Sequence, residues 1–145
     1  MRRLLPLLLL LAACASNSGN RPKDIPRPDI EVRQAAPIFF GSGLRAPISI
    51  DVHITNNAAV PLRVREIEIR SSGMMQYSID RTSKIFNETL APGQTRTLGL
   101  VTTATASRRE LHTNEPLSVQ TIIRFEANGR GFREIVLEQF AGEGT

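Results

Sequence analysis

Ile48-Ser49-Ile50-Asp51-Val52-His53-Ile54-Thr55 decides the fold. Aliphatic side chains occupy the even positions and polar ones the odd positions. A strict period of two puts all four aliphatics on one side of an extended chain, so this is a β-strand with one buried face. Asn56-Asn57-Ala58-Ala59 then turns the chain. Val60, Leu62 and Val64 resume the alternation, but the phase has changed by Ile67 and Ile69. One slip inside a strand predicts a β-bulge at Arg65-Glu66. Without it, half of those aliphatics would point at water.

The same rhythm continues in both directions. Residues 76–79 and 84–90 are predicted as short strands. Ala91-Pro92-Gly93-Gln94 has the residues of a type II turn, because Pro presets the first central φ and Gly tolerates the positive second one. It leads into a strand from Thr95 to Val101 with Leu98 and Leu100 on one side. Ser107 and Glu110 stand at capping-box spacing, so Arg108 to Thr113 reads either as one helical turn or as a polar loop. The last third is a hairpin. Leu117, Val119, Thr121, Ile123 and Phe125 alternate, Asn128-Gly129 is a strong turn signal, and Phe132 to Phe140 returns. A two-residue loop would pair Phe125 with Phe132 and set Ile123 opposite Glu134. A three-residue loop would pair Ile123 with Ile135 and Arg124 with Glu134. The second is preferred, since it matches apolar with apolar and opposite charges with each other.

About seven short strands with turn signals between them predict an all-β chain, an immunoglobulin-like antiparallel β-sandwich over residues 29–142. The hallmarks of an antibody domain, a Cys pair and a Trp, are missing. The expected core is Ile48, Ile50, Val52, Ile54, Leu62, Val64, Ile67, Ile69, Leu98, Leu100, Val119, Ile123, Phe125, Ile135 and Leu137. With no disulfide, that core must supply nearly all the stability, about 1.5–3 kcal/mol per buried aliphatic.

Ile48 to Asn57, Val60-Pro61-Leu62 through Ile69, and Leu90-Ala91-Pro92-Gly93-Gln94-Thr95-Arg96-Thr97-Leu98 together resemble the type 2 late-embryogenesis-abundant family, also called the water-stress and hypersensitive-response domain. That family shares a strand ending in an Asn-Pro-Asn-type turn, a Pro-led strand and a later turn before a strand. Here Asn56-Asn57 is followed by Ala, with no Pro inside the triplet. The resemblance runs from about Ile30 to Phe140. It implies an immunoglobulin-like fold and a stress-protective role, often in short bacterial lipoproteins.

The amino-terminal end gives an address. Arg2 and Arg3 precede an apolar run from Leu4 to Leu11 broken by Pro6, and Leu11-Ala12-Ala13-Cys14 follows. A basic start, a short apolar segment and small residues form an export signal. The run is too short to cross a bilayer, which takes about 20 apolar residues. Leu11 to Cys14 resembles the lipobox of bacterial lipoproteins. The resemblance implies a signal peptide over residues 1–13 and lipid on Cys14, the chain's one cysteine. The alternative is an ordinary secretory signal cut after Ala15. By the same resemblance, Ala15 in place of Asp after the Cys favours the outer membrane, facing the periplasm. Residues 14–28 hold Ser, Asn and three prolines and read as a solvated tether. Stretched out, it would reach about 45–50 Å and hold the domain clear of the headgroups.

Composition narrows the function. Removing the first 13 residues leaves 16 Lys and Arg against 14 Asp and Glu, a charge of +2. The basic residues are scattered and aromatics are few, so a nucleic-acid partner is not expected. Catalysis needs positioned acids, bases or nucleophiles, and the chain offers few. His53 and Asp51 share a strand face and read as a pH-sensitive or metal-binding pair, or more simply as a solvated face. His112 has no third ligand at metal spacing. Gly41-Ser42-Gly43 lacks the helix and Lys of a phosphate loop. Arg63, Arg65, Glu66, Glu68 and Arg70 form a charge-rich strand, read either as a docking surface for an acidic partner or as a self-complementary solubilising face. The expectation is a non-catalytic, membrane-anchored module with no cofactor, no metal and an envelope protein as possible partner. Two alternatives are an assembly subunit that binds through a sheet edge and an enzyme with a loop-built site.

Overall fold

The computed structural model describes residues 20–38, 40, 43–72, 77–107 and 116–140. Eight strands follow in order: β1 (Asp29–Gln34), β2 (Arg45–Thr55), β3 (Leu62–Ser71), β4 (Tyr77–Ile79), β5 (Thr82–Leu90), β6 (Thr95–Ala106), β7 (Leu117–Ala127) and β8 (Arg130–Phe140). They make two four-stranded sheets, β1-β2-β6-β4 and β5-β3-β7-β8, and every pairing is antiparallel. The two face each other as a β-sandwich, and no helix occurs among the described residues. The first order is the A-B-E-D order of an immunoglobulin-like sandwich, and the second is C-F-G with β5 added beside the C position. The inner faces meet in one hydrophobic cluster. Ile50, Val52, Ile54, Val64, Ile67, Ile69, Val119 and Ile123 are all sealed from solvent there, as their period of two requires.

The bulge falls where the phase slip puts it. The register of β3 shifts between Val64 and Glu66 against both neighbours, which returns Ile67 and Ile69 to the inside. The Ala91–Gln94 turn is also present: Gly93 has φ 74° and the Gln94 N–H donates to the Ala91 carbonyl at 3.0 Å.

Asn56 locks that turn to the end of β2. Its side chain is completely buried. The amide nitrogen donates to the carbonyls of Val60 (2.9 Å) and Leu90 (3.0 Å), and Oδ1 accepts the Ala58 N–H at 2.9 Å. Its backbone N–H donates to Gln94 O, and its own carbonyl accepts the Gly93 N–H. One side chain thus satisfies three backbone groups that would otherwise be stranded near the core.

Three expectations are corrected. The hairpin uses the two-residue loop: Phe125 pairs with Phe132, Ile123 with Glu134, and Arg124 with Arg133. Asn128 and Gly129 take φ 51° and 72°, as a type I′ turn requires. The Phe125 and Phe132 rings stack on the inside at 5.3 Å, an apolar match that the three-residue loop would have lost. As a result Ile135 and Leu137 are not core residues. They point outward, and Leu137 is 56% exposed. The sandwich also gains a strand, β1, which hydrogen-bonds to β2.

The third correction concerns the tether. Residues 21–28 are docked on the domain, with Ile25 and Pro28 buried. Glu134 faces inward on β8 and is fully buried. Arg21 Nε lies 3.2 Å from one of its carboxylate oxygens and Arg27 Nε lies 3.3 Å from the other. Arg130 at the hairpin also pairs with Asp24. This strap closes the side of the sandwich between β1 and β8. A carboxylate buried there is tolerable because two guanidinium groups compensate it.

Candidate functional site

The outer face of the β5-β3-β7-β8 sheet carries the charge-rich strand. Alternation sends Arg63, Glu66, Glu68 and Arg70 of β3 outward, and the bulge adds Arg65. Register then sets Glu126 opposite Arg63, Arg124 opposite Glu66, Ile122 opposite Glu68 and Gln120 opposite Arg70. Many of these groups satisfy one another. Arg65 reaches Glu126 at 2.7 Å, and Arg124 reaches Glu66 at 2.9 Å and Glu68 at 3.7 Å. Arg81 closes on Glu68 at 2.9 Å, and Arg70 donates to Gln120. Glu68 is nearly buried. The Arg81 guanidinium, helped by Arg124 and Arg70, holds its carboxyl below the ordinary carboxylate value despite the opposing effect of burial.

The pairing is incomplete. Arg133 on β8 stands directly across from Arg124 and has no ion pair among the described residues. The six arginines of this face (63, 65, 70, 81, 124 and 133) exceed its three glutamates (66, 68 and 126). At the hairpin end, Arg65, Arg124 and Arg133 line an open cleft of about 770 Å³ together with Glu66, Glu126 and Asn20, so its walls carry one positive charge in excess. Asn20, just ahead of the docked strap, is one wall of this cleft. Below it, Ile135 and Leu137 continue along the outer side of β8 beside the covered Ile122. The face is therefore cationic at one end and apolar at its β8 edge.

The histidine pair has a different setting. His53 is on the outer face of the other sheet, opposite Glu31 of β1. Its Nδ1 lies 2.8 Å from Thr97 Oγ1. It borders a shallow hollow of about 270 Å³ with Glu31, Arg33 and Thr55. Asp51 lies beside Gly99, and no group of three or more His, Cys, Asp or Glu able to hold a metal occurs among the described residues. His112, Cys14, Gly41, Ser42 and the segment 108–113 lie outside the described residues.

Sequence reading found the β3 charges but missed their partners. Arg124 and Arg133 meet only if the hairpin loop has two residues, and the Asn128-Gly129 pair was the available signal. Nothing in the local pattern marks Asn20 as part of the same cleft.

No protein-family model matches the chain, and no curated protein matches it. Among solved structures, a protein from Archaeoglobus fulgidus is similar, with 12% identity and a TM-score of 0.49 over 81% of this chain and 98% of that one. So is Spo0M, a sporulation control protein from Bacillus subtilis, with 10% identity and a TM-score of 0.46 over 83% of this chain and 51% of that one. Both likenesses are too distant to bear on function.

Proposed function

We propose that the chain is a non-catalytic, lipid-anchored envelope protein whose β-sandwich is a binding or stress-protective module at the outer membrane, facing the periplasm. The observation that carries this reading is Leu11-Ala12-Ala13-Cys14, a lipobox-like junction six residues before the first described residue of the domain. Lipid on Cys14 would fix the sandwich to a bilayer, and the outer sheet face described above would be its working surface. Mass spectrometry of the native amino terminus tests the anchor. A diacylated or triacylated Cys14 is expected, and Cys14→Ser should move the protein from the membrane to the soluble fraction. An unmodified amino terminus at Ser16 would refute the reading in favour of ordinary secretion.

A second reading has one observation in its favour. β8 is eleven residues long and forms the edge of its sheet, with Leu137 exposed on it. The part of this edge beyond the strap can pair with a strand of another envelope protein. Crosslinking from position 137 in intact cells distinguishes the two, since a discrete protein adduct is expected only for an assembly subunit.

A further inference from the structure

The docked strap changes how far the domain can stand from its anchor. With residues 21–28 packed against the sandwich, only the steps from Cys14 to Asn20 remain to span any gap. Six residues reach at most about 20–22 Å when fully extended. Asn20 is itself a wall of the arginine-lined cleft. The anchor therefore holds one particular face close to the bilayer, and it is the face with the surplus of positive charge.

We propose that the outer face of the β5-β3-β7-β8 sheet, from the Arg65–Arg124–Arg133 cleft to Ile135 and Leu137, rests on the anionic headgroup surface of the membrane in which the chain is anchored. This rests on the reading of Cys14 as the lipid-bearing residue. Three features select lipid as the occupant. The face carries a formal charge of +3 whereas residues 14–145 as a whole carry +2, so the remainder of the molecule is slightly negative and is repelled from such a surface. Arg124 is already held by Glu66 and Glu68, whereas Arg133 opposite it has no ion pair among the described residues, which leaves its guanidinium for an outside anion such as a lipid phosphate. The half-buried Ile135 and the exposed Leu137 then follow Arg133 on the same side of β8, so cations and aliphatic surface reach one plane together. Guanidinium groups at phosphate depth, with aliphatics just below, is the pattern of an interfacial contact.

The test uses the chain from residue 14 onward with Cys14→Ser, so that no acyl chain contributes. Sedimentation at low salt should show binding to phosphatidylglycerol-containing vesicles and little to phosphatidylcholine vesicles. Arg65→Gln with Arg133→Gln should weaken that binding about 25-fold, taking about fivefold per arginine near an anionic surface. Arg33→Gln with Arg45→Gln makes the same charge change on the other sheet and should leave binding nearly intact. A second measurement does not depend on the arginine variants. An environment-sensitive dye on Leu137→Cys should shift to the blue on anionic vesicles, whereas the same dye on Val101→Cys, exposed on the opposite sheet, should not. Equal weakening by both double variants, equal shifts at positions 137 and 101, indifference to lipid charge, or capture of a protein partner without vesicle binding would each overturn the proposal. Because this chain is unacylated, failure here is distinct from failure of the anchor, which the mass of the native amino terminus tests independently.

Discussion

Replacing Asn56 with alanine should destabilise the sandwich by about 3 kcal/mol, through unmet hydrogen bonds more than lost volume. The side chain serves the carbonyls of Val60 and Leu90 and the N–H of Ala58. Leu90 and Ala58 are buried, so two groups would lose their partner where water cannot replace it, at about 1–3 kcal/mol each. Val60 is partly exposed and its carbonyl can turn to solvent, so it adds little. For a domain of this size the midpoint of thermal unfolding should fall by about 10–12 °C. Urea unfolding followed by circular dichroism measures the free energy directly. Asn56→Asp separates the causes, because it keeps the volume and the Oδ1 acceptor while turning a carboxylate oxygen toward the Val60 and Leu90 carbonyls. It should be at least as damaging as alanine at neutral pH and should recover partly on acidification, when the protonated acid can donate. A loss below about 1 kcal/mol for alanine, or a neutral effect of aspartate, would refute the claim that this amide is the lock between the two turns.

Further outcomes follow from the strap, the outer face and the hairpin. Arg21→Gln with Arg27→Gln should cost about 3 kcal/mol by leaving buried Glu134 uncompensated, and adding Glu134→Leu should recover most of it in urea unfolding. Glu68 titrates below its ordinary 4.5 because Arg81 pairs with it. Its folded value is thus lower than its unfolded one, so its contribution is complete above about pH 4.5 and is lost as pH falls through the lowered value. Arg81→Ala should flatten that acid limb and raise the Glu68 titration midpoint seen by NMR. Gly129→Ala should cost about 1 kcal/mol from its positive φ alone, because the space around it is open, with the m-value unchanged. Leu137→Thr should change stability by less than about 0.5 kcal/mol in the same assay, since the side chain faces solvent.

Much of this architecture is legible one strand at a time. Alternation in β2, β3, β6 and β7 identifies thirteen of the fifteen expected core residues, and the phase slip locates the bulge, because the direction of a side chain in a strand depends only on its own position in the pleat. The Pro92-Gly93 turn is equally local, set by the φ that each residue tolerates. What tertiary structure alone decides is which partner each face meets. Arg124 opposite Glu134 is a sound match in isolation, yet the stacked Phe125 and Phe132 rings and the positive φ of Asn128 and Gly129 set the register one step away. That step sends Glu134 inward and Leu137 outward. Residues 21–28 look like solvated linker in composition, and they are ordered because one isoleucine fills the core and two arginines neutralise a carboxylate more than a hundred positions along the chain. Periodicity is a property of neighbouring residues, whereas charge compensation and edge register belong to pairs that only folding brings together.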